Sequence, residues 1–436
     1  MPGAKTNQWI DRAARVMSSR QSNVRALPEP SIFLERGDGQ RLWDVDGKEY
    51  IDFAIAMGPG IWGHGNREYV DAVKAQMDKL VYVQSGACQS TLEVELAEKI
   101  VEHVPCAERV RFHLSGSESV QMAIRLSRAY TNRPYFVRFA GHYHGWIDNV
   151  FGGAINPDPE APPHPIVNEK ETFYTEGRSP FSYEESFMLP WNDIAALERL
   201  FAKHGHEICM VMMEVFNSNG GGCNPKPGYL EAVRDLCTKH GVVLYFDEII
   251  TGFRAALGGA QSLVRVTPDL ATFGKAIAGG VPLAAIAGKA EIFELFRTNK
   301  VVGAGTFNAF PVGMAAAMAS IAMLERGNGA VYGERDRVQS RFMSEFVGLG
   351  RKHGHPILLQ SMPGGFCMHF TTADALWNHA DMAKVDGAKA MRFRPMLLEE
   401  GIVPGLGHRY FISFAFTDRD ADQTLAAIDR CLKRLN

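Results

Sequence analysis

The chain lacks the long apolar segment that a membrane protein needs. None of its apolar runs approaches the length of about twenty residues that spans a bilayer. The first thirty residues contain no apolar core of a secretory signal. Charge of one sign is not in excess either, because 46 Lys and Arg face 49 Asp and Glu. Without a basic patch for nucleic acid or an anionic membrane, we expect a cytoplasmic protein that binds neither.

Cysteine is scarce and scattered. The seven cysteines form no Cys-x-x-Cys pair, and their number is odd. This usage predicts reduced thiols rather than a disulfide framework. No cluster of His and Cys has the spacing of metal ligands, so we predict no metal site.

What the sequence does contain is enough chain for two or three domains, since it has 436 residues. Residues 1–65 carry short β-like runs separated by Asp-Gly turns, and we predict that they form the N-terminal segment of a small domain. Residues 66–325 are predicted to form a large domain. Residues 326–436, with strand-like runs and an amphipathic helix at 418–434, complete the small α+β domain.

Short apolar segments alternate with helical ones in the large domain. The predicted strands are 109–115, 135–141, 208–215, 242–249, 270–276 and 283–288, and the predicted helices include 117–132, 192–204 and 227–240. This alternation indicates an α/β fold with a mostly parallel sheet and helices on both faces. In such a sheet the ligand lies at the carboxyl ends of the strands. Apolar residues show no clear period over residues 151–190. We therefore predict a long loop there, which is either a lid or a subunit contact.

A single lysine stands out within the segment PDLATFGKAIAGGVPLAAIAG, residues 268–288. Lysine is rarely buried, because an ammonium group is expensive to remove from water. An ordinary lysine would extend its amine to solvent from a loop. The flanks of Lys275 are too apolar for a solvated turn, which favours a desolvated amine of lowered pKa that forms a Schiff base with a carbonyl compound.

Polar side chains follow several of the predicted strands. Asp247 ends a strongly apolar strand, where it would keep a pyridine nitrogen protonated if it is not merely a helix cap. Ile249 follows on the same side of the chain and would support the ring. Tyr143 ends another strand and would stack on the ring, or is an ordinary loop aromatic. Glu214 ends a third strand and either fixes loop amides or lies near a cofactor.

Two segments have the character of phosphate sites. Ser115, Gly116 and Ser117 lie between a strand and a helix, where free backbone amides and hydroxyl groups bind anions. The alternative is a plain helix cap without a ligand. Thr306, beside a glycine, is a second candidate phosphate donor.

Taken together, these residues resemble the class III aminotransferases, which are enzymes that use pyridoxal 5′-phosphate (PLP). The resemblance runs from DGKEYIDF to ISFAFTDRDADQTL, and the DE-x-x-TGFR and PDLATFGKAIAGGVPLAAI segments are its most specific parts. Within the family, SNVRA, FAGHYHG, LPWND and GTFNAFP are similar to the branch of the glutamate-1-semialdehyde 2,1-aminomutases. The resemblance implies the aspartate-aminotransferase-like fold, which is PLP-dependent transferase fold type I.

The resemblance also implies roles for the residues above. Lys275 would carry PLP as a Schiff base, and Asp247 would pair with the pyridine nitrogen. Tyr143 would stack on the ring, while the Ser115–Ser117 turn would hold the phosphate. In this family Thr306 reaches the phosphate across a subunit interface, so we expect a homodimer with shared active sites.

The substrate end departs from the aminomutase pattern. Arg25 matches an arginine that takes the substrate carboxylate in that branch. Met57, however, stands where the branch has Trp, and His408 and Arg409 stand where it has Glu and a small residue. The altered pocket predicts a transaminase that moves an amino group, through the PMP form of the cofactor, from a carboxylate-bearing amino acid to a 2-oxo acid or other carbonyl acceptor. A β-amino or aromatic donor is among the candidates. The alternatives are a 2,1-aminomutase, a racemase and a decarboxylase.

Overall fold

The computed structural model describes residues 3–18, 32–84, 86–153 and 175–435, with only the backbone of residue 183. The helices are α1 Ala4–Val16, α2 Arg67–Lys79, α3 Thr91–His103, α4 Gly116–Thr131, α5 Ile194–His204, α6 Tyr229–His240, α7 Gly259–Val264, α8 Ala290–Arg297, α9 Pro311–Glu325, α10 Ala330–Lys352, α11 Gly387–Glu399 and α12 Asp418–Arg434. The strands are β1 Leu34–Asp38, β2 Arg41–Asp44, β3 Glu49–Asp52, β4 Arg109–His113, β5 Tyr135–Phe139, β6 Ser186–Leu189, β7 Ile208–Met213, β8 Val243–Glu248, β9 Leu270–Phe273, β10 Ala284–Gly288, β11 Ile357–Met362, β12 Gly365–Phe370, β13 Ile402–Val403 and β14 Arg409–Phe411. Within these described ranges no helix combines the length and the apolar character needed to cross a membrane.

A seven-stranded sheet in the order β4-β10-β9-β8-β7-β5-β6 forms the centre of the protein. Neighbouring strands run parallel except at β10, which pairs antiparallel with both β4 and β9. The six strands predicted from the apolar runs of the large domain are all present. The prediction of a long loop over 151–190 is wrong at its end, because β6 pairs with β5 at the sheet edge. This strand has only four residues, too few to show a period beside the prolines and acidic residues that precede it.

The alternation of side chains along β8 determines on which face of the sheet Asp247 lies. Leu244 and Phe246 belong to the larger hydrophobic core, whereas Val243 and Tyr245 belong to the core that also contains the buried face of α4. Successive side chains of a strand point to opposite faces. Asp247 therefore follows Tyr245 on the α4 face of the sheet.

The two ends of the chain meet in a smaller layer. Antiparallel β1, β2 and β3 are joined by β13, whose Ile402 pairs in parallel with Ile51. A second sheet in the order β11-β12-β14 lies beside it. One hydrophobic core combines Ile51 and Phe53 with side chains of α10, β12 and α12. Domain boundaries at 65 and 325 stay a prediction.

Candidate active site

Five strands of the central sheet end around one cavity of about 380 Å³. Parallel strands bring their carboxyl ends to the same edge, which is why residues far apart in sequence meet here. The residues predicted from sequence that line the cavity are Ser115, Gly116 and Ser117 after β4, Tyr143 after β5, Glu214 after β7, Asp247 and Ile249 at the end of β8, and Lys275 after β9.

Lys275 begins the 3₁₀ turn Lys275–Ala278 with a φ of 44°, in the left-handed region that non-glycine residues seldom adopt. Such backbone conformations cost energy and are found mostly at functional sites. Burial lowers the pKa of Lys275 to about 8, and the positive charges of Arg409 and Arg254 act in the same direction against Asp247 and Glu214. Near physiological pH the amine is therefore neutral far more often than that of an ordinary lysine, as a nucleophile or base requires.

Asp247 is held by a histidine to which the sequence analysis gave no role. The Asp247 Oδ2 atom lies 2.7 Å from His144 Nδ1, and both side chains are buried. The other carboxylate oxygen, Oδ1, accepts a hydrogen bond from the backbone N–H of Ile249 at 3.1 Å. His144 thus fixes the orientation of the carboxylate at the floor of the cavity. The only signal in the sequence was its position beside Tyr143 at the end of a strand.

The first turn of α4 is a capped helix N-terminus that faces the cavity. Ser115 is the N-cap, because its Oγ accepts from the Glu118 backbone N–H while Glu118 Oε2 accepts from the Ser115 backbone N–H at 2.8 Å. The same turn lines the cavity. A Cβ atom on Gly116 would lie 3.0 Å from Ile249 Cδ1, and one on Gly274 would lie equally close to that atom. Glycine at these two positions is what lets Ile249 reach the cavity between the helix and the lysine.

Glu214 collects hydrogen bonds from three neighbours. Its Oε1 accepts from the Tyr143 backbone N–H at 2.7 Å and from Asn219 Nδ2 at 2.8 Å, and its Oε2 accepts from Ser218 Oγ at 3.2 Å. Burial raises the pKa of Glu214 above its usual value. Asn219 also accepts a hydrogen bond from Arg409 Nη1. Glu214 and Asn219 therefore link the backbone of Tyr143 to Arg409. No pattern in the sequence indicated this contact of Asn219.

Met57 lies beside the cavity rather than in its wall. Ile55, Ala56 and Met57 have consecutive positive φ values of 34°, 56° and 68°, and Gly58 follows at 110°. The next residue, Pro59, lines the cavity. This left-handed turn packs on the buried guanidinium of Arg254, whose Nη1 and Nη2 have no hydrogen-bond partner among the described residues.

The remaining predicted residues fall outside the cavity wall. His408 Nε2 donates to the carbonyl oxygen of Ser218 at 3.2 Å, and its ring lines a separate cavity of about 260 Å³. Arg409, on β14, is half-buried and acts on Lys275 through its charge. Thr306 is exposed and does not line the lysine cavity of its own chain. Arg25 lies outside the described residues.

Comparison with known proteins decides the family. The family model "Aminotransferase class-III" matches residues 22–432. The chain belongs to the class III aminotransferases. It is 35% identical to a glutamate-1-semialdehyde 2,1-aminomutase from Persephonella marina over 95% of both chains. Its structure is similar to that of an omega-transaminase from Sphaerobacter thermophilus, with a TM-score of 0.89 and 29% identity over 99% of this chain and 98% of the other. It is also similar to that of a beta-phenylalanine aminotransferase from Variovorax paradoxus, with a TM-score of 0.83 and 29% identity over 98% and 93% of the two chains.

As a class III aminotransferase, the protein is a PLP-dependent enzyme with the fold type I architecture predicted from its motifs. The cavity fits this cofactor. An amine of lowered pKa, a buried carboxylate oriented on both oxygens and the first turn of a helix all face one space. These are the groups that a carbonyl, a pyridine nitrogen and a phosphate require. The close approach of Ile249, which Gly116 and Gly274 permit, leaves an apolar surface on which a ring can lie.

Proposed function

We propose that the protein is a transaminase for a carboxylate-bearing amino acid, with a β-amino or aromatic acid as donor and a 2-oxo acid as acceptor. The observation that carries this proposal is Arg409, a half-buried guanidinium close enough to the cavity to act on Lys275 and Tyr143. Among the described residues Arg409 has no ion-pair partner, so its charge is available to a substrate. A planar guanidinium binds a carboxylate through two parallel hydrogen bonds. The names of the two structurally similar transaminases support this choice.

Each of the residues at the cavity has a separate role in such a reaction. Bound PLP supplies a carbonyl group for the substrate amine and an electron-poor ring. Lys275 Nζ, neutral above a pKa of about 8, would take the proton from the substrate carbon that bears nitrogen and deliver it to the former carbonyl carbon of the cofactor, which keeps the nitrogen. His144 holds the Asp247 carboxylate in place, the first turn of α4 binds phosphate, and Tyr143 covers the ring. Arg409 orients the substrate by its carboxylate.

Two assays test this function. A panel of α-amino, β-amino and aromatic donors is combined with pyruvate and with 2-oxoglutarate, and we expect transfer from at least one donor that carries a carboxylate. Arg409→Gln is expected to raise the KM of that donor by about 10- to 100-fold, because hydrogen bonds to charged groups contribute roughly 1.5–3 kcal/mol. Absence of transfer from every donor would contradict the proposal, and so would an unchanged KM in Arg409→Gln.

A homodimer with shared sites is part of the proposal. Trp146, on the rim of the cavity, is 68% exposed, and Phe307 and Val302, beside Thr306, are 60% and 66% exposed. Large exposed apolar side chains around a functional site are typical of an interface. We propose that a second copy covers them and contributes its Thr306 to the phosphate.

Mixed dimers test this arrangement. Lys275→Ala is expected to be inactive, and Thr306→Ala is expected to bind PLP more weakly. A dimer of one chain of each kind contains one complete site, so mixing the two variants should restore activity. No gain on mixing under conditions of subunit exchange would contradict a shared site.

A second candidate is a 2,1-aminomutase, because curated relatives at about 35% identity carry that name. Incubation with glutamate 1-semialdehyde, without an added acceptor, distinguishes the two functions. Stoichiometric formation of 5-aminolevulinate would favour the aminomutase, whereas an aminomutase assay without product, together with transfer to pyruvate, would favour the transaminase. Racemase and decarboxylase activities stay alternatives, and a cytoplasmic location stays a prediction.

A further inference from the structure

The neutral side chain of Asn219 lies between the carboxylate of Glu214 and the guanidinium of Arg409. Asn219 Nδ2 donates to Glu214 Oε1 at 2.8 Å, and Asn219 Oδ1 accepts from Arg409 Nη1. An amide has one donor end and one acceptor end. Since a carboxylate only accepts and a guanidinium only donates, the two partners fix the amide in one orientation.

The neutrality of this side chain determines what Arg409 is able to bind. A carboxylate in place of the amide would pair with the guanidinium and neutralise it, and it would also repel Glu214. With the amide in place, Arg409 is tethered at one nitrogen and keeps its full charge. The only other hydrogen bond of the guanidinium to a described residue goes from Nε to the Leu406 carbonyl oxygen at 3.4 Å.

We propose that Asn219 is the positioning residue that tethers Arg409 for the substrate carboxylate without pairing its charge, and that it thereby sets the preference for carboxylate-bearing substrates. This inference rests on the proposed function, because it assigns to Arg409 the role of carboxylate ligand. Asn219 acts through Arg409 and has no part in the proton transfers at Lys275.

The backbone that carries Asn219 is held independently of its side chain. The Gly220 backbone N–H donates to Asn217 Oδ1 at 2.7 Å, and the Gly222 backbone N–H donates to the Asn217 carbonyl oxygen at 2.9 Å. His408 and His369 donate to the carbonyl oxygens of Ser218 and Gly221, respectively. A substitution at 219 is therefore expected to leave the loop in place.

The experiment compares two ligands that differ only in a carboxylate. 3-Amino-3-phenylpropionate and 1-phenylethylamine share the phenyl ring and the amine, but only the first offers a carboxylate to Arg409. Each is reacted with the PLP-loaded enzyme in a single half-reaction, followed by absorbance. In Asn219→Asp we expect the apparent KM of the amino acid to rise about tenfold or more, with its maximal rate within threefold and the amine unaffected.

A binding measurement makes the test independent of turnover. 3-Phenylpropionate has the carboxylate but no amine, so it binds without reacting. Calorimetric titration of the holoenzyme should show its Kd weakened about tenfold in Asn219→Asp and about threefold in Asn219→Ala, in which Arg409 loses its tether but keeps its charge. Asn224→Asp is the matched control, because Asn224 bonds to the Ser361 carbonyl oxygen and contacts neither Glu214 nor Arg409. The Kd of Asn224→Asp for 3-phenylpropionate should equal that of the wild type.

The possible outcomes separate the inference from the function on which it rests. If Arg409→Gln leaves the Kd of 3-phenylpropionate unchanged, the role of Arg409 fails and the inference fails with it. If Arg409→Gln weakens binding but Asn219→Asp and Asn219→Ala do not, only the inference is overturned. Equal losses for the amino acid and the amine would show a general structural effect and would also overturn it. Should Asn219→Asp not fold, the Asn219→Ala titration decides.

Discussion

The residues that we propose for the cofactor and those that we propose for the substrate lie on different kinds of backbone, and we call the two groups the cofactor end and the substrate end. At the cofactor end, Lys275, Asp247, His144 and the first turn of α4 are positioned by the ends of parallel strands of one sheet. At the substrate end, Arg409 lies on β14 of a separate three-stranded sheet, and Asn219 lies in a loop.

This difference matters because the two ends have different tasks. The cofactor is the same for the whole class, so a rigid sheet edge holds its partners. The substrate differs from one member to another, and the groups that we propose for its recognition lie on a loop and on the smaller layer, which change without disturbing the central sheet. We therefore expect substitutions at the cofactor end to lower the rate of every reaction, and substitutions at the substrate end to change which substrates bind.

The largest effect is expected from Asp247→Asn. The amide has the same shape but loses the charge that holds the pyridine nitrogen protonated, so kcat should fall by about 10²- to 10³-fold for all substrates. Steady-state kinetics with two unrelated donors checks this, with the melting temperature as the control for folding. A loss confined to one donor would remove the distinction between the two ends.

A smaller loss is expected at His144, which acts through Asp247. His144→Phe removes the 2.7 Å contact and leaves a buried carboxylate with one partner fewer. We expect kcat to fall about 10- to 100-fold, as is usual when the partner of a catalytic group is removed. His144→Gln, whose amide donates to Asp247, should recover part of this loss and of the cofactor absorbance. Equal losses in the two variants would contradict a positioning role.

A substitution at Gly58 tests whether the turn at residues 55–58 requires a left-handed backbone. The φ of Gly58 is 110°, and a Cβ atom there would lie 3.3 Å from Arg254 Nη2. Gly58→Ala should therefore lower the free energy of unfolding by about 1–2 kcal/mol, the cost of a left-handed residue. Gly333→Ala, inside α10 where nothing lies within 4 Å, should instead raise it by about 0.5–1 kcal/mol. Denaturant unfolding of both variants checks the opposite signs, and equal signs would contradict the account of this turn.

The smallest effect is expected from a change of pH in the wild-type protein. Only the neutral amine of Lys275 reacts with PLP, and its pKa is lowered from 10.5 to about 8. Loading of the apoenzyme with PLP should accordingly accelerate as the pH rises and reach half of its maximal rate near pH 8. Stopped-flow absorbance between pH 6 and 11 provides the measurement. A midpoint near 10.5 would mean that the lysine is solvated in the folded protein.

The sequence predicted the cofactor end better than the substrate end, for a physical reason. Strand ends in an alternating α/β pattern have to meet at one edge, so Asp247 and Lys275 could be placed together from local patterns alone. Asn219 could not be placed, because its role depends on two partners, Glu214 and Arg409, that come from different sheets. Strand β6 was missed because four buried residues carry no readable period.

Every role proposed for the cavity depends on the binding of PLP to Lys275. The most direct test is reduction of the purified holoenzyme with borohydride, followed by digestion and mass spectrometry of the peptides. We expect a reduced PLP adduct on the peptide that contains Lys275, loss of the visible absorbance band, and no adduct in Lys275→Ala. An adduct on a different lysine, or a colourless and unmodified wild-type protein after addition of PLP, would contradict it.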